Sequence, residues 1–136
     1  MFKPIAIAAT ILGVTTLSAQ ALTDAAAIKP ILTATKANWV AVREFDGQDL
    51  VYFTHLEAWR CGLEALSYSI NGGDDTVREL ETCYEGEAAP NAMKEEGRLP
   101  FITQPLGSVE TITIRLLYDD GTTDEATFAR DAVKTP

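Results

Sequence analysis

Ser108-Val109-Glu110-Thr111-Ile112-Thr113-Ile114-Arg115-Leu116-Leu117-Tyr118 decides the fold. Its side chains alternate, with Ile112, Ile114, Leu116 and Tyr118 on one face and Thr111, Thr113, Arg115 and Leu117 on the other, the period of a half-buried strand. Asp119-Asp120-Gly121-Thr122 then supplies turn chemistry, and Thr123 to Arg130 returns with Ala126 and Phe128 facing the same core. This hairpin is the clearest element of the sequence.

Working towards the N-terminus, the same grammar repeats. Leu66, Tyr68 and Ile70 alternate with Ala65, Ser67 and Ser69, Asn71-Gly72-Gly73-Asp74 forms a turn, and Val77 to Cys83 runs extended. Asn38 to Phe45, the turn Asp46-Gly47-Gln48-Asp49 and Leu50 to Thr54 predict a further hairpin. Thr23 to Lys36 carries apolar residues at near-helical spacing, with Asp24 near its start and Lys36 at its end, although Pro30 restricts where a helix begins. Glu85 to Arg98, with two Gly, one Pro and four Glu and no period, is a loop. The expected architecture is mostly β: an antiparallel β-sandwich or open barrel of about six strands with one N-terminal helix.

With 136 residues, 46% of them hydrophobic and 23% charged, the chain has the length and composition of one folded domain. Residues 1–21 read as a secretory signal: Lys3, an apolar run from Ile5 to Val14, and Ala19-Gln20-Ala21 as a small-x-small cleavage site. The run is too short to span a bilayer and no second one follows, so residues 22–136 are expected to form a single exported domain, periplasmic or secreted, without a membrane span. Removing those 21 residues, one of them Lys3 and none acidic, leaves 115 residues with ten bases against twenty acids, a net charge of −10. A nucleic-acid partner is excluded on that balance, because phosphate binding depends on clustered cations.

Export also bears on the cysteines. Cys61 and Cys83 are the only two, and in an oxidising compartment an even count predicts a bridge. A hairpin folded about Gly72 sets opposite each other residues whose numbers total 144, as those of the cysteines do. They are therefore expected on adjacent antiparallel strands, within disulfide reach.

Tyr52-Phe53-Thr54-His55-Leu56, Trp59-Arg60-Cys61-Gly62-Leu63, Tyr68-Ser69-Ile70-Asn71-Gly72, Leu106-Gly107-Ser108-Val109 and Tyr118-Asp119-Asp120-Gly121-Thr122 together span most of residues 22–136. In these runs the sequence resembles a family of short, uncharacterised exported bacterial proteins. The resemblance implies an exported all-β domain and carries over no activity and no site residue.

Candidate chemistry is sparse. His55 is the sole histidine, so any histidine-dependent catalysis or zinc site must use it, and no nucleophile elbow accompanies it. Glu79 and Glu81, two apart, would share a face of a strand and crowd as a glycosidase pair does, but in a sequence with twenty acids a solvated face explains such pairs better. Asp119-Asp120-Gly121-Thr122-Thr123-Asp124-Glu125 offers oxygens for calcium but misses the EF-hand spacing, and Asp-Gly turns are what hairpins use. Trp39, Tyr52, Phe53, Trp59, Tyr68 and Tyr84 are mostly needed for a core in so small a domain. No catalytic set, no metal site and no cofactor is expected.

Two function classes follow. The first is a non-catalytic binding or interaction module of the bacterial cell envelope, with a protein or envelope component as partner. Its contact surface would combine His55, Trp59 and Arg60, presented beside the disulfide, with the acidic loop. The second is an exported acidic protein inhibitor of a cationic, lysozyme-like enzyme. An inhibitor would hold the acidic loop as a protruding wedge, whereas a general module would leave it as a mobile connection. Oligomeric state stays open.

Overall fold

The computed structural model describes residues 22–136 and, ahead of them, only Pro4, Ala9 and Gly13; the expected signal segment lies outside the described residues. Among the described residues seven strands, all paired antiparallel, form two sheets that enclose one core. The strands are β1 (Ala41–Phe45), β2 (Gln48–Tyr52), β3 (Leu63–Ile70), β4 (Thr76–Arg78), β5 (Phe101–Pro105), β6 (Thr111–Tyr118) and β7 (Thr123–Ala129). One sheet has the order β1-β2-β5 and the other β4-β3-β6-β7. The result is the sandwich-like form of the expected fold.

β6 carries the alternation of its sequence into the structure: Ile112, Ile114, Leu116 and Tyr118 are buried, whereas Thr111, Thr113, Arg115 and Leu117 are not. Helix α1 (Ala25–Ala34) covers the core with Ala25, Ile28 and Leu32, one helical face. Asp24 caps it, accepting from the Ala27 N–H at 2.9 Å. Pro30 sits inside the helix; the bond it removes would run to the Ala26 carbonyl, and both residues are exposed, so that carbonyl is open to solvent. Trp39 is wholly buried, donating from Nε1 to the Leu32 carbonyl at 2.9 Å and meeting Phe128 edge-on.

Three expectations are corrected. The β1–β2 turn is shorter than expected: only Asp46 and Gly47 form it, both at positive φ (54° and 72°), a two-residue turn that fits the twist of its strands. The segment expected to end a strand at Thr54 instead turns into the helical stretch α2 (Thr54–Glu57), so His55 stands on a helix turn. β5, within a stretch that the sequence pattern does not mark as a strand, pairs with β2 and completes the first sheet.

The second hairpin has the expected register, with Leu66 opposite Arg78 and Tyr68 opposite Thr76. Cys61 and Cys83 are bridged, with Cα atoms 5.0 Å apart. They do not lie on adjacent strands, however. Cys61 belongs to a 3-10 turn, Arg60–Gly62, and β4 ends at Arg78, so the bridge joins that turn to an irregular segment beyond the ladder. Beyond the ladder the Glu81 and Thr82 carbonyls accept from Arg60, and that of Glu79 from Arg98, rather than pairing with β3.

Among the described residues no helix is long and apolar enough to cross a membrane.

Candidate functional site

Residues 79–100 contain neither helix nor strand, yet this strap is held tightly. Its organiser is Arg60, which is 2% exposed. The guanidinium donates to five backbone carbonyls: Nε to Glu81 and Thr82, Nη1 to Glu57 and Asn91, Nη2 to Thr82 and Ala92, at 2.7–3.2 Å. Nη1 also meets Met93 Sδ at 3.1 Å, and Nη2 lies 3.5 Å from Glu81 Oε2. A planar fork with five N–H groups can bind several carbonyls at once, which a lysine cannot do.

Glu81, 3% exposed, holds the strap from the other side by accepting from the Lys94 and Glu95 N–H groups at 2.7 and 3.0 Å. Burial alone would raise its pKa, but these two backbone bonds, a bond from Tyr84 and the charge of Arg60 outweigh it and lower the pKa. Asn91 completes the web, accepting from the Cys61 N–H at 2.9 Å and donating to the Leu22 carbonyl at 3.0 Å. The acidic loop is therefore neither a mobile connection nor a detached wedge. Its base is pinned, and Glu85, Glu87, Glu95 and Glu96 remain exposed along it.

Between α2 and the strap lies a cleft of about 320 Å³. Ala58, Met93 and Pro100 contribute apolar surface to it, and Glu57 and Arg98 contribute charge. Glu57 is buried, pairing with Arg78 at 2.8 Å and with Arg98 at 3.3 Å, while the Arg78 guanidinium lies 5.1 Å from the centre of the Phe53 ring. Met93 (48% exposed) lines the cleft, and Leu99 (57% exposed) stands between two lining residues.

The expected contact trio separates. Arg60 is withdrawn from the surface and works inside, so its side chain is not a contact point; this corrects the expected surface. Trp59 is half-buried and packs against the core. His55 is half-buried, with Nε2 2.8 Å from the Thr35 hydroxyl, and burial lowers its pKa. Cys61 and Cys83 anchor the strap.

The other candidates are occupied with structure. Glu79 is exposed and Glu81 buried, on no common strand, so no carboxylate pair forms. In the Asp119–Glu125 turn, Asp119 accepts from the Ala25 N–H, Asp120 pairs with Lys29 and bonds Thr122, and Asp124 pairs with Lys36. Lys29 is the main reason the Asp120 carboxyl is held well below the usual range. Among the described residues no three His, Cys, Asp or Glu side chains gather as a metal site would require.

Sequence reasoning missed the cleft because Glu57 is distant in the sequence from Met93 and Arg98 and the three carry no shared motif. It missed a second ion pair for the same reason. Asp49, wholly buried, meets Arg130 at 2.6 and 3.0 Å and accepts from the Gly107 and Val109 N–H groups, both at 3.0 Å. No protein-family model matches the sequence, and no curated protein or solved structure is significantly similar to it.

Proposed function

We propose that the protein is an exported, non-catalytic binding module of the bacterial cell envelope, and that it binds through the cleft between α2 and the strap. The observation that carries this reading is the rigid presentation of exposed Met93 and Leu99 on an irregular segment pinned by Arg60, Glu81 and a disulfide. Ordering a loop before it binds removes an entropy cost from association, and binding groups concentrate on loops held by rigid scaffolds. The disulfide favours an oxidising compartment and so supports export. The non-catalytic part rests on His55, whose Nε2 is engaged by Thr35 and which has no carboxylate partner among the described residues. The test is retention of an envelope component on immobilised domain 22–136. The reading requires retention that is lost in Met93→Asp while the far-UV and near-UV spectra are unchanged; equal retention by that variant refutes it.

A second reading is an acidic inhibitor of a cationic, lysozyme-like enzyme. It is favoured by the exposed row Glu85, Glu87, Glu95 and Glu96 on the pinned strap and by the net charge of −9 of the full sequence. Residual activity of a basic muramidase titrated with the domain decides it: inhibition that weakens with added salt supports the reading, and full activity at excess domain removes it.

A further inference from the structure

The cleft has a chemical preference built into its charges. Arg98 carries five N–H groups. Its Nη2 serves Glu57 Oε1, at 3.3 Å, and the Glu79 carbonyl. Its Nε is buried and has no hydrogen-bond acceptor among the described residues. Its Nη1 has only the carboxylate of Glu95, at 3.9 Å, too far for a hydrogen bond. Three of the five donors are thus unanswered on a guanidinium whose side chain is 17% exposed and lines the cleft.

The charge count points the same way. Glu57 is one anion shared by two cations, Arg78 and Arg98, so the buried group holds a surplus positive charge inside a strongly acidic protein. Glu95, half-exposed on the strap, is the nearest counter-charge, and its carboxylate accepts no hydrogen bond among the described residues. Ala58, Met93 and Pro100 give the cleft apolar surface, beside the polar Thr54 and Asn91. At about 320 Å³ the cleft lies at the small end of ligand sites, which run from about 300 to 1,000 Å³.

We infer that this cleft takes a carboxylate carrying a compact branched apolar group, the carboxylate replacing Glu95 at Arg98 and the apolar group lying against Met93, Ala58 and Pro100. The inference rests on the binding-module reading and names its ligand class. A free branched aliphatic acid and a peptide ending in a free leucine share this chemistry. Arginine suits it because its fork reads a carboxylate with direction as well as charge.

The test is a titration of ¹⁵N-labelled domain 22–136, followed by amide shifts, with 4-methylpentanoate, acetyl-Gly-Leu and the amide-capped form of each. The expected result is saturable shifts at residues 54–58 and 91–100 with both acids, and binding at least about tenfold weaker with both amides. A tighter peptide assigns the source to the free C-terminus of a polypeptide, and a tighter free acid to a metabolite. Glu95→Gln removes the competing carboxylate and binds about two- to fivefold tighter. Arg98→Gln loses at least about tenfold, judged on spectra that show it folded. If Arg98→Gln unfolds, the amide and Glu95→Gln arms decide.

Equal binding of acids and amides, or unchanged affinity in Glu95→Gln, overturns the carboxylate assignment. Absence of shifts with any probe also overturns it; if Met93-dependent retention of an envelope component then persists, the ligand class alone has failed. If that retention is absent as well, the binding-module reading falls with it.

Discussion

Replacing Arg60 by Met keeps the length and apolar stem of the side chain and removes its five donors. Five carbonyls, those of Glu57, Glu81, Thr82, Asn91 and Ala92, lose their guanidinium partner, and buried Glu81 loses its nearest cation. Stripping one partner from a buried charged network costs about 3–5 kcal/mol. Glu81 keeps its two backbone donors, from Lys94 and Glu95, so the loss belongs in the lower half of that range, about 3–4 kcal/mol. A small domain has a total stability of about 5–15 kcal/mol, so the variant should fold with little margin. Urea denaturation with the disulfide intact, followed by the fluorescence of Trp39 and Trp59, reads the effect. With an m value of roughly 2 kcal/mol/M, the midpoint falls by about 1.5–2 M. Arg60→Lys restores a charge but not the fork, so it recovers only part of the loss. If Arg60→Met lies within about 0.5 kcal/mol of the parent, the strap is not held by Arg60 and the reasoning fails.

Cys61→Ala with Cys83→Ala opens a loop of sequence separation 22, and the double variant should lose about 3 kcal/mol by thermal or urea unfolding. Protease cutting within 85–96 should accelerate in it before the β-sheet amides lose protection. Gly62→Ala places a Cβ 2.5 Å from Ile28 Cδ1 and 2.8 Å from the Asp24 carbonyl, forcing α1 away from the 3-10 turn. It should cost about 1–3 kcal/mol, and an unchanged melting temperature would show that this contact yields freely. Arg130 above all holds the Asp49 carboxyl far below the usual range, against the opposing effect of burial and with help from the Gly107 and Val109 N–H groups. A carboxyl whose pKa is lowered by folding stabilises fully above its ordinary value of 3.8 and loses that contribution as pH falls below it. Asp49→Asn should therefore cost about 2–3 kcal/mol at pH 7 and show a shallower loss of stability from pH 5 to pH 2 than the parent, by urea midpoints at each pH.

The elements legible in the sequence are those whose side chains repeat with a period. β6 alternates cleanly because one of its faces is buried and the other is not, and the Asn71-Gly72 turn sets the register that brings the cysteine positions together. β5 is illegible: Phe101-Ile102-Thr103-Gln104-Pro105 is a short edge strand with no face wholly buried, and Pro105 argues against a strand on local grounds. The strap is legible as irregular but not as rigid, because its order comes from a guanidinium supplied by residue 60 and not from its own composition. Arg60 stands out in the sequence for its place beside a disulfide and a tryptophan. What sequence does not convey is direction: the side chain turns inward, where backbone carbonyls of residues 81–92 await a donor. The cleft is invisible for a related reason, since Glu57, Met93 and Arg98 meet only after the strap folds back over α2.

The claim that the α2–strap cleft is the binding surface is tested most directly by placing a photocrosslinking amino acid at position 93 and irradiating the domain in envelope extract. Position 77 serves as the control, because Val77 is the more exposed residue, at 68% against 48%, and lies on β4 outside the cleft lining. The account predicts a discrete adduct from position 93 and none from position 77. Equal labelling from both positions, or no adduct from position 93 in extract where the parent domain retains its partner, contradicts it.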